Sequence, residues 1–495
     1  MKYILNHYYK LRNDSKRCYI IAQGNVNYES SISINIGWVS VIHPIYAMIL
    51  SVFSAPINLD EANRKISQLI GIEEKAISNF INNLIYAKNP LHSRLKEGIS
   101  GFPIGLIIPE SKAFMSPQSY ELKSFIFDEV DLKRDRPFNA PLSIVIMPTN
   151  KCFTKCVYCY ADTETQYKEM SFYRIKEIIE EAADIGVGNL ILTGGDIFTY
   201  YNWKELVSFL CEKGYKPDLL STKYPLKKPD IETIQTLGIR VQVSLDSLDS
   251  DTQKSMLKVE SLYSDKLIKS IRLLDEMGVH YQIATVLTNY NDNIPNLESL
   301  KLFLETLKNL ERWEIRVGFR SLYSRANFDL IKSKRDSITT IVEWIKQTRV
   351  NSRLNILWSP DQDSKYRTEY QGSRFFKGAR CSANISNMIV LPDGKVTICE
   401  QLYWLPEFII GDLSEPTTSI FDVWNSARAK ELYHFIPNKT ISNSPCSICE
   451  IRRDCFSYGN RCIADIIKAY GKSGWDYPDP RCIYAPQFDQ SLCHD

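Results

Sequence analysis

Cys152-Phe153-Thr154-Lys155-Cys156-Val157-Tyr158-Cys159 puts three cysteines within eight residues, spaced CxxxCxxC, after the apolar, strand-like run 142–147. Thiolates are soft ligands suited to iron–sulfur clusters or to zinc. A closed structural zinc site calls for a fourth protein ligand, and none follows locally. On spacing alone, a cluster with an open coordination position and a redox-inert zinc loop both stand.

The surroundings of this loop set the fold class. From 141 to about 360, strand-like runs (142–147, 190–192, 219–221, 241–245, 281–287, 313–319) alternate with amphipathic patterns (172–185, 203–212, 230–237, 266–277, 297–310, 338–347). Repeated strand–helix units of this length predict a parallel α/β sheet, with chemistry at the C-terminal ends of the strands. Thr193-Gly194-Gly195-Asp196 ends the second strand, and its glycines allow a close backbone approach. Ser221 and Lys223 end the third strand, and Ser244, Leu245 and Asp246 the fourth. Helix capping is the alternative role for each of these polar residues. Arg316 and Arg320 stand an even number of residues apart around the sixth strand.

The cysteine loop, with Tyr158 before its last cysteine, resembles the cluster-binding loop of the radical S-adenosylmethionine (SAM) superfamily. The resemblance implies a partial (β/α)6 barrel and a [4Fe–4S] cluster on Cys152, Cys156 and Cys159, with one iron open to the amino and carboxylate groups of SAM. It also implies that Gly194, Gly195 and Asp196 form the glycine-glycine-acid segment beside the SAM amino group, with aspartate in place of the commoner glutamate. Tyr158, Ser244 and Asp246 become cofactor-binding candidates. Arg316 and Arg320 become candidates to face the SAM carboxylate or the substrate.

A second cysteine system follows: Cys381, Cys399, Cys446, Cys449, Cys455, Cys462 and Cys482. It resembles the SPASM extension, which carries auxiliary [4Fe–4S] clusters; a zinc-ribbon-like module is the alternative. The central group reads CxxCx5Cx6C instead of CxxCx5Cx3C, with the insertion around Gly459 and Asn460. Carried over by order, Cys446, Cys449, Cys455 and Cys482 hold an outer cluster, while Cys381, Cys399 and Cys462 hold an inner one without an evident fourth protein ligand. Glu400, next to Cys399, is by position a candidate general base, and a surface acid is the alternative. Cys211 reads as an apolar filler. Cys18 is no evident ligand, and Cys493 beside His494 would join a metal site only if the tail folds back.

Residues 1–95 read as a separate winged-helix-like α+β domain. Strands are expected at 3–11, 17–21 and 30–36, with a turn at 12–15. Helices are expected at 44–53, from an N-cap region at Asp60, and at 74–86. This arrangement resembles the precursor-recognition domains of enzymes that modify ribosomally made peptides, which capture a leader as an added strand. A DNA-binding winged helix has the same outline, but its third helix would offer only Lys75 as a cation. Residues 96–140, rich in proline, are expected to be an irregular linker before the barrel (141–360) and the SPASM domain (361–495).

Composition narrows the function classes. The 495 residues are 44% apolar and 24% charged, with a net charge of +2, so no broad electrostatic field calls for nucleic acid. Thirteen cysteines in a long chain with no apolar signal core suggest reduced, metal-serving thiols in the cytoplasm. The run 38–55 contains His43 and Pro44 and reads as a buried helix, not a membrane span.

What the resemblance implies is an oxidoreductase with SAM and three [4Fe–4S] clusters, fed by a flavodoxin or ferredoxin. Its substrate would be a precursor peptide with a leader, and it would form a thioether or carbon–carbon crosslink after hydrogen abstraction by a 5′-deoxyadenosyl radical. A formylglycine-generating sulfatase-maturing enzyme, a silent cluster-bearing scaffold and a DNA-binding cluster regulator are the competing classes.

Overall fold

The computed structural model describes the chain except residues 24–31, 36, 114–118, 133–137, 218, 324–325, 360–380, 439–442, 453–454, 456–460, 490 and 493–495. Cys493, His494, Gly459 and Asn460 therefore lie outside the described residues. The chain divides into two compact units: 1–143 with 179–190, and 144–178 with 191–495.

In the first unit, strands β1 (Lys2–Leu5), β2 (Tyr9–Asn13), β3 (Cys18–Ala22) and β4 (Val39–Ile42) precede β5 (Ile57–Asn58), and a hairpin of β6 (Leu91–Leu95) and β7 (Gly98–Phe102) precedes β8 (Ile107–Pro109). β2, β3 and β4 form an antiparallel meander, and β1 lies between β5 and β8. The β2–β3 turn puts Ser15 and Lys16 at positive φ, the twist that suits a tight hairpin. Helices Pro44–Ser51, Leu59–Ile70 and Glu74–Tyr86 close over a core that includes Phe53, Ile66, Ile81 and Phe102.

Three expectations are corrected here. The third strand of the meander is β4; 24–31 and 36 lie outside the described residues, and 32–35 are not strand. The second helix begins at Leu59 after Asn58, which places Asp60 in its first turn, where an acid suits the helix dipole. The stretch expected to be an irregular linker carries β7 and β8, with β8 paired to β1. Pro90 and Pro103 flank the β6–β7 hairpin and Pro109 ends β8, where none of them interrupts a ladder.

A buried ion triad ties this unit's later chain to its first hairpin. Asp14 accepts from Arg12 at 3.3 Å and from Arg17 at 3.0 Å, all three being almost fully buried. Asp14 also accepts from the Asn139 amide at 2.9 Å, and Arg12 donates to the Pro141 carbonyl at 2.9 Å. Asp14→Ala strips the carboxylate from between two guanidiniums, and about 3–5 kcal/mol of stability should go with it. A urea titration of the full chain checks this.

The second unit holds the barrel. β9 (Ser143–Ile146), β10 (Asn189–Leu192), β11 (Leu220–Thr222), β12 (Val241–Ser244), β13 (Tyr281–Leu287) and β14 (Leu310–Val317) appear in the expected order, followed by β15 (Ile356–Trp358). β11 to β15 form one parallel sheet in sequence order. The barrel is not one continuous ladder, however. β9 and β10 belong to a second sheet of order β10-β9-β16-β17-β18, completed by β16 (Asn387–Val390), β17 (Lys395–Thr397) and β18 (Ile409–Asp412). The C-terminal cysteine region thus extends the sheet that carries the first barrel strand. The helix expected at 297–310 is Ile294–Leu304, started by Asn293 accepting from the Asn296 amide; the chain re-enters strand at Leu310. Among the described residues no helix is long and apolar enough to cross a membrane.

Candidate active site

A cavity of about 1700 Å³ opens at the C-terminal ends of the barrel strands. Cys152, Cys156 and Cys159 line it, as do Tyr158, Gly194, Gly195, Asp196, Ser244 and Arg316. Cys381, Cys399 and Glu400 of the second cysteine system line the same space.

The cysteine loop hangs on helix Ser250–Leu257. The Lys155 amide donates to the Leu257 carbonyl and the Val157 amide to that of Met256, both at 2.9 Å. The Thr154 hydroxyl lies 3.1 Å from the Cys156 sulfur and 3.7 Å from that of Cys152. Desolvation by the cavity walls raises all three thiols, Cys156 to about 12, although Cys152 is exposed, so a metal must displace their protons to bind.

The glycines serve chain packing. A Cβ on Gly194 would meet the Thr149 carbonyl at 2.2 Å, and one on Gly195 the Lys151 carbonyl at 2.0 Å. The Gly195 and Asp196 amides donate to those same carbonyls. Only glycine lets this turn lie flat against the segment that leads into the cysteine loop.

Asp196 is buried and its oxygens are fully used. It accepts from the Phe198 amide at 3.1 Å, the Thr222 hydroxyl at 2.7 Å, the Lys223 amide at 2.9 Å and the Tyr224 amide at 3.2 Å. β10 and β11 belong to different sheets, so this side chain bridges the seam where ladder bonds are missing.

Asp246, also expected to approach a ligand, is fully buried beneath the cavity. It accepts from the Val286 amide at 2.8 Å, from the Tyr158 hydroxyl and, at 3.2 Å, from the Lys223 ammonium. Burial and the Asp246 carboxylate push the Tyr158 phenol far above its ordinary value, so it stays a donor. Ser244 and Arg316 face the cavity, and Arg316 pairs with Glu314 at 2.8 Å. Arg320 does not line it; its guanidinium goes to Asp329 and to the Ser491 carbonyl.

The remaining cysteines fall into two neighbourhoods. Cys446, Cys449, Cys455 and Cys482 are near enough to feel one another's charge. So are Cys381, Cys399 and Cys462. Among the described residues no three such side chains close around a single metal ion, so grouping rests on shared surroundings and order. The described cysteines form no disulfides, and Cys211 is a half-buried helix residue apart from both sets. Two buried cations escaped the sequence reading: Arg461 beside the first set, and Lys468, held by Gln401 and Asp465 near Cys399. Arg461 adjoins Cys462 in sequence, a signal that was available; Lys468 offered none.

Glu400 is half-buried at the cavity wall, and its desolvation there raises its carboxyl. Around it stand Tyr160, stacked on Phe319 at 5.7 Å, and Tyr323 edge-on to Tyr403 at 5.4 Å. The buried hydroxyls of Tyr323 and Tyr403 have no hydrogen-bond partner among the described residues.

The radical SAM superfamily matches residues 146–299, and the SPASM iron–sulfur cluster-binding domain matches residues 381–455. Residues 146–299 thus carry a radical SAM domain and residues 381–455 a SPASM domain. The chain is similar to the antilisterial bacteriocin subtilosin biosynthesis protein AlbA of Bacillus subtilis, with 28% identity over 30% of this chain and 33% of that protein. That match spans about a third of the relative's length. It is also similar to the PqqA peptide cyclase of Granulibacter bethesdensis, with 24% identity over 70% of this chain and 88% of that one. Its fold is shared with Streptococcus suis SuiB, solved bound to its precursor peptide SuiA: TM-score 0.63, 16% identity, 98% of this chain and 100% of that one. The three cavity-lining thiols beside a tight glycine turn fit a cluster with one open iron, and SPASM supplies auxiliary iron–sulfur binding.

Proposed function

We propose that the chain is a peptide maturase: a SAM-dependent radical oxidoreductase that crosslinks residues within a ribosomally synthesised precursor peptide, through a thioether or a carbon–carbon bond. The observation that carries this reading is the single cavity lined at once by Cys152, Cys156 and Cys159, by Cys381 and Cys399, and by Glu400. The names of similar proteins, a bacteriocin biosynthesis protein and a peptide cyclase, support a peptide substrate.

In this reading three [4Fe–4S] clusters are held: one by Cys152, Cys156 and Cys159, an inner one by Cys381, Cys399 and Cys462, and an outer one by Cys446, Cys449, Cys455 and Cys482. When bound, the first cluster and SAM supply hydrogen-atom abstraction from the substrate. The protein's own part is to hold the loop through Tyr158 and Asp246, to wall the cavity with Tyr160, Phe319 and Tyr323, and to take a proton on Glu400. Within the first unit, the domain 1–95, extended through β8, takes the leader as an added strand on the β2-β3-β4 sheet. A flavodoxin or ferredoxin in the cytoplasm supplies the electron.

The test is anaerobic reconstitution with candidate precursor peptides. About twelve irons per chain, the sum for three four-iron clusters, together with 5′-deoxyadenosine and a product lighter by two hydrogens, is the expected result. Tight zinc without iron and without 5′-deoxyadenosine would overturn the reading, and a formylglycine product would reassign it to sulfatase maturation.

Glu400→Gln should lower product formation by about 10²–10⁴-fold, the scale of a positioned general base, while 5′-deoxyadenosine still forms. Because burial raises the carboxyl and the base must be ionised, wild-type turnover should fall as pH drops through that raised value. A Gln variant with unchanged product yield removes Glu400 from the mechanism.

A further inference from the structure

Lys223 is held from every side. Its amide donates to Asp196 at 2.9 Å, and its carbonyl accepts from the buried Tyr263 hydroxyl at 2.8 Å. Its ammonium lies 3.2 Å from Asp246 and 5.6 Å from the centre of the Tyr158 ring, and the side chain is 11% exposed. Tyr158 sits between Cys156 and Cys159, so the ammonium is fixed directly behind the cysteine loop. It lines the same cavity.

The charges here are arranged with a direction. The charge of Lys223 reaches Cys152, Cys156 and Cys159, whereas that of its partner Asp246 reaches Cys156 and that of Asp196 reaches Cys152. Other cations near the loop are more exposed: Lys151 is 69% exposed and paired with Glu169, Lys155 is exposed, and Arg316 is 41% exposed and paired with Glu314. Water and salt weaken exposed charges far more than buried ones. Lys223 is thus the cation with the strongest hold on this loop among the described residues.

We propose that Lys223 is a positioning residue whose fixed charge raises the reduction potential of the cluster bound by Cys152, Cys156 and Cys159. A cluster on three thiolates is already anionic, and reduction adds one electron and no proton. A buried cation therefore stabilises the reduced form more than the oxidised one. Asp246 opposes it, so the pair sets the potential by difference. This inference rests on the radical SAM assignment but needs no peptide, so the failure of either is seen separately.

The experiment is a mediator-poised titration of the reconstituted full chain, reduced with dithionite and followed by electron paramagnetic resonance. The signal that changes on adding SAM identifies the cluster. For Lys223→Met, the reduced-to-oxidised ratio at the wild-type midpoint should fall about tenfold, a midpoint about 59 mV lower for one electron. Lys223→Arg should restore it. Asp246→Asn should move the midpoint the other way, and this arm stands alone if the Met variant does not take up iron. An unmoved midpoint in Lys223→Met, or a fall in Asp246→Asn, overturns the proposal. If the wild-type chain itself takes up no SAM-responsive cluster, the radical SAM assignment fails instead.

Discussion

Cys156→Ala in the full chain is expected to lose about four of about twelve irons and to cut 5′-deoxyadenosine formation at least ~10³-fold, a fraction of the accelerations enzymes supply. The reason is local. Cys156 is the middle ligand of the loop, its sulfur lies 3.1 Å from the Thr154 hydroxyl, and it is the thiol that burial raises to about 12. Replacing it leaves two thiols for a cluster that needs three. Cys156→Ser should do little better, because a hard oxygen is a poor substitute for a soft thiolate on iron. The auxiliary cysteines are untouched, so the iron that remains should report them. A Cys156→Ala chain with full iron and full SAM cleavage would show that the loop does not hold the active cluster.

The second large effect is expected at Asp196. Asp196→Ala withdraws the acceptor from three backbone amides and the Thr222 hydroxyl at once. A buried donor left unsatisfied costs roughly 1–3 kcal/mol. With some relaxation the sum should be about 3–5 kcal/mol, at the top of what single substitutions do. Because β10 and β11 share no sheet, the loss falls on the seam itself. SAM affinity should drop as well, since the Gly194–Gly195 turn and Lys223 are positioned by the same carboxylate. Asp196→Asn, which keeps one acceptor oxygen, should lose about half as much. Thermal melts with and without SAM check both, and an alanine variant that melts like the wild type would mean that the seam is held by something else.

The parts of the site legible in the sequence are those whose chemistry is concentrated in neighbouring residues. Cys152 to Cys159 announced themselves by spacing, Thr193 to Asp196 by two glycines after a strand, and Glu400 by its place beside Cys399. The helices Trp203–Glu212 and Glu74–Tyr86 and the strand Tyr281–Leu287 were readable from periodicity alone. What could not be read is what depends on residues far apart in sequence. Asp196 and Asp246 looked like ligand-facing acids because each ends a strand, yet each is occupied by partners more than 20 residues away. Arg320 shares a face with Arg316 by counting, but the chain near Ser491 captures it. β6, β7 and β8 were hidden by nearby prolines, because a three- to five-residue strand beside breakers has too little periodicity to register.

The sheet order β10-β9-β16-β17-β18 carries a consequence for how the protein is made. β9 leads straight into the cysteine loop, and its neighbour β16 is encoded more than 240 residues later. The Met147 amide donates to the Val390 carbonyl and the Met170 amide to that of Pro392, while Arg174 reaches the Leu413 and Thr418 carbonyls. On the ribosome, the strand that delivers the first cysteines waits with an open edge until most of the chain has been synthesised. Contacts of such sequence separation form late, and the exposed edge is prone to mispairing in the interval. The sheet behind the cysteine loop is therefore complete only once the C-terminal strands have been synthesised and have closed against β9.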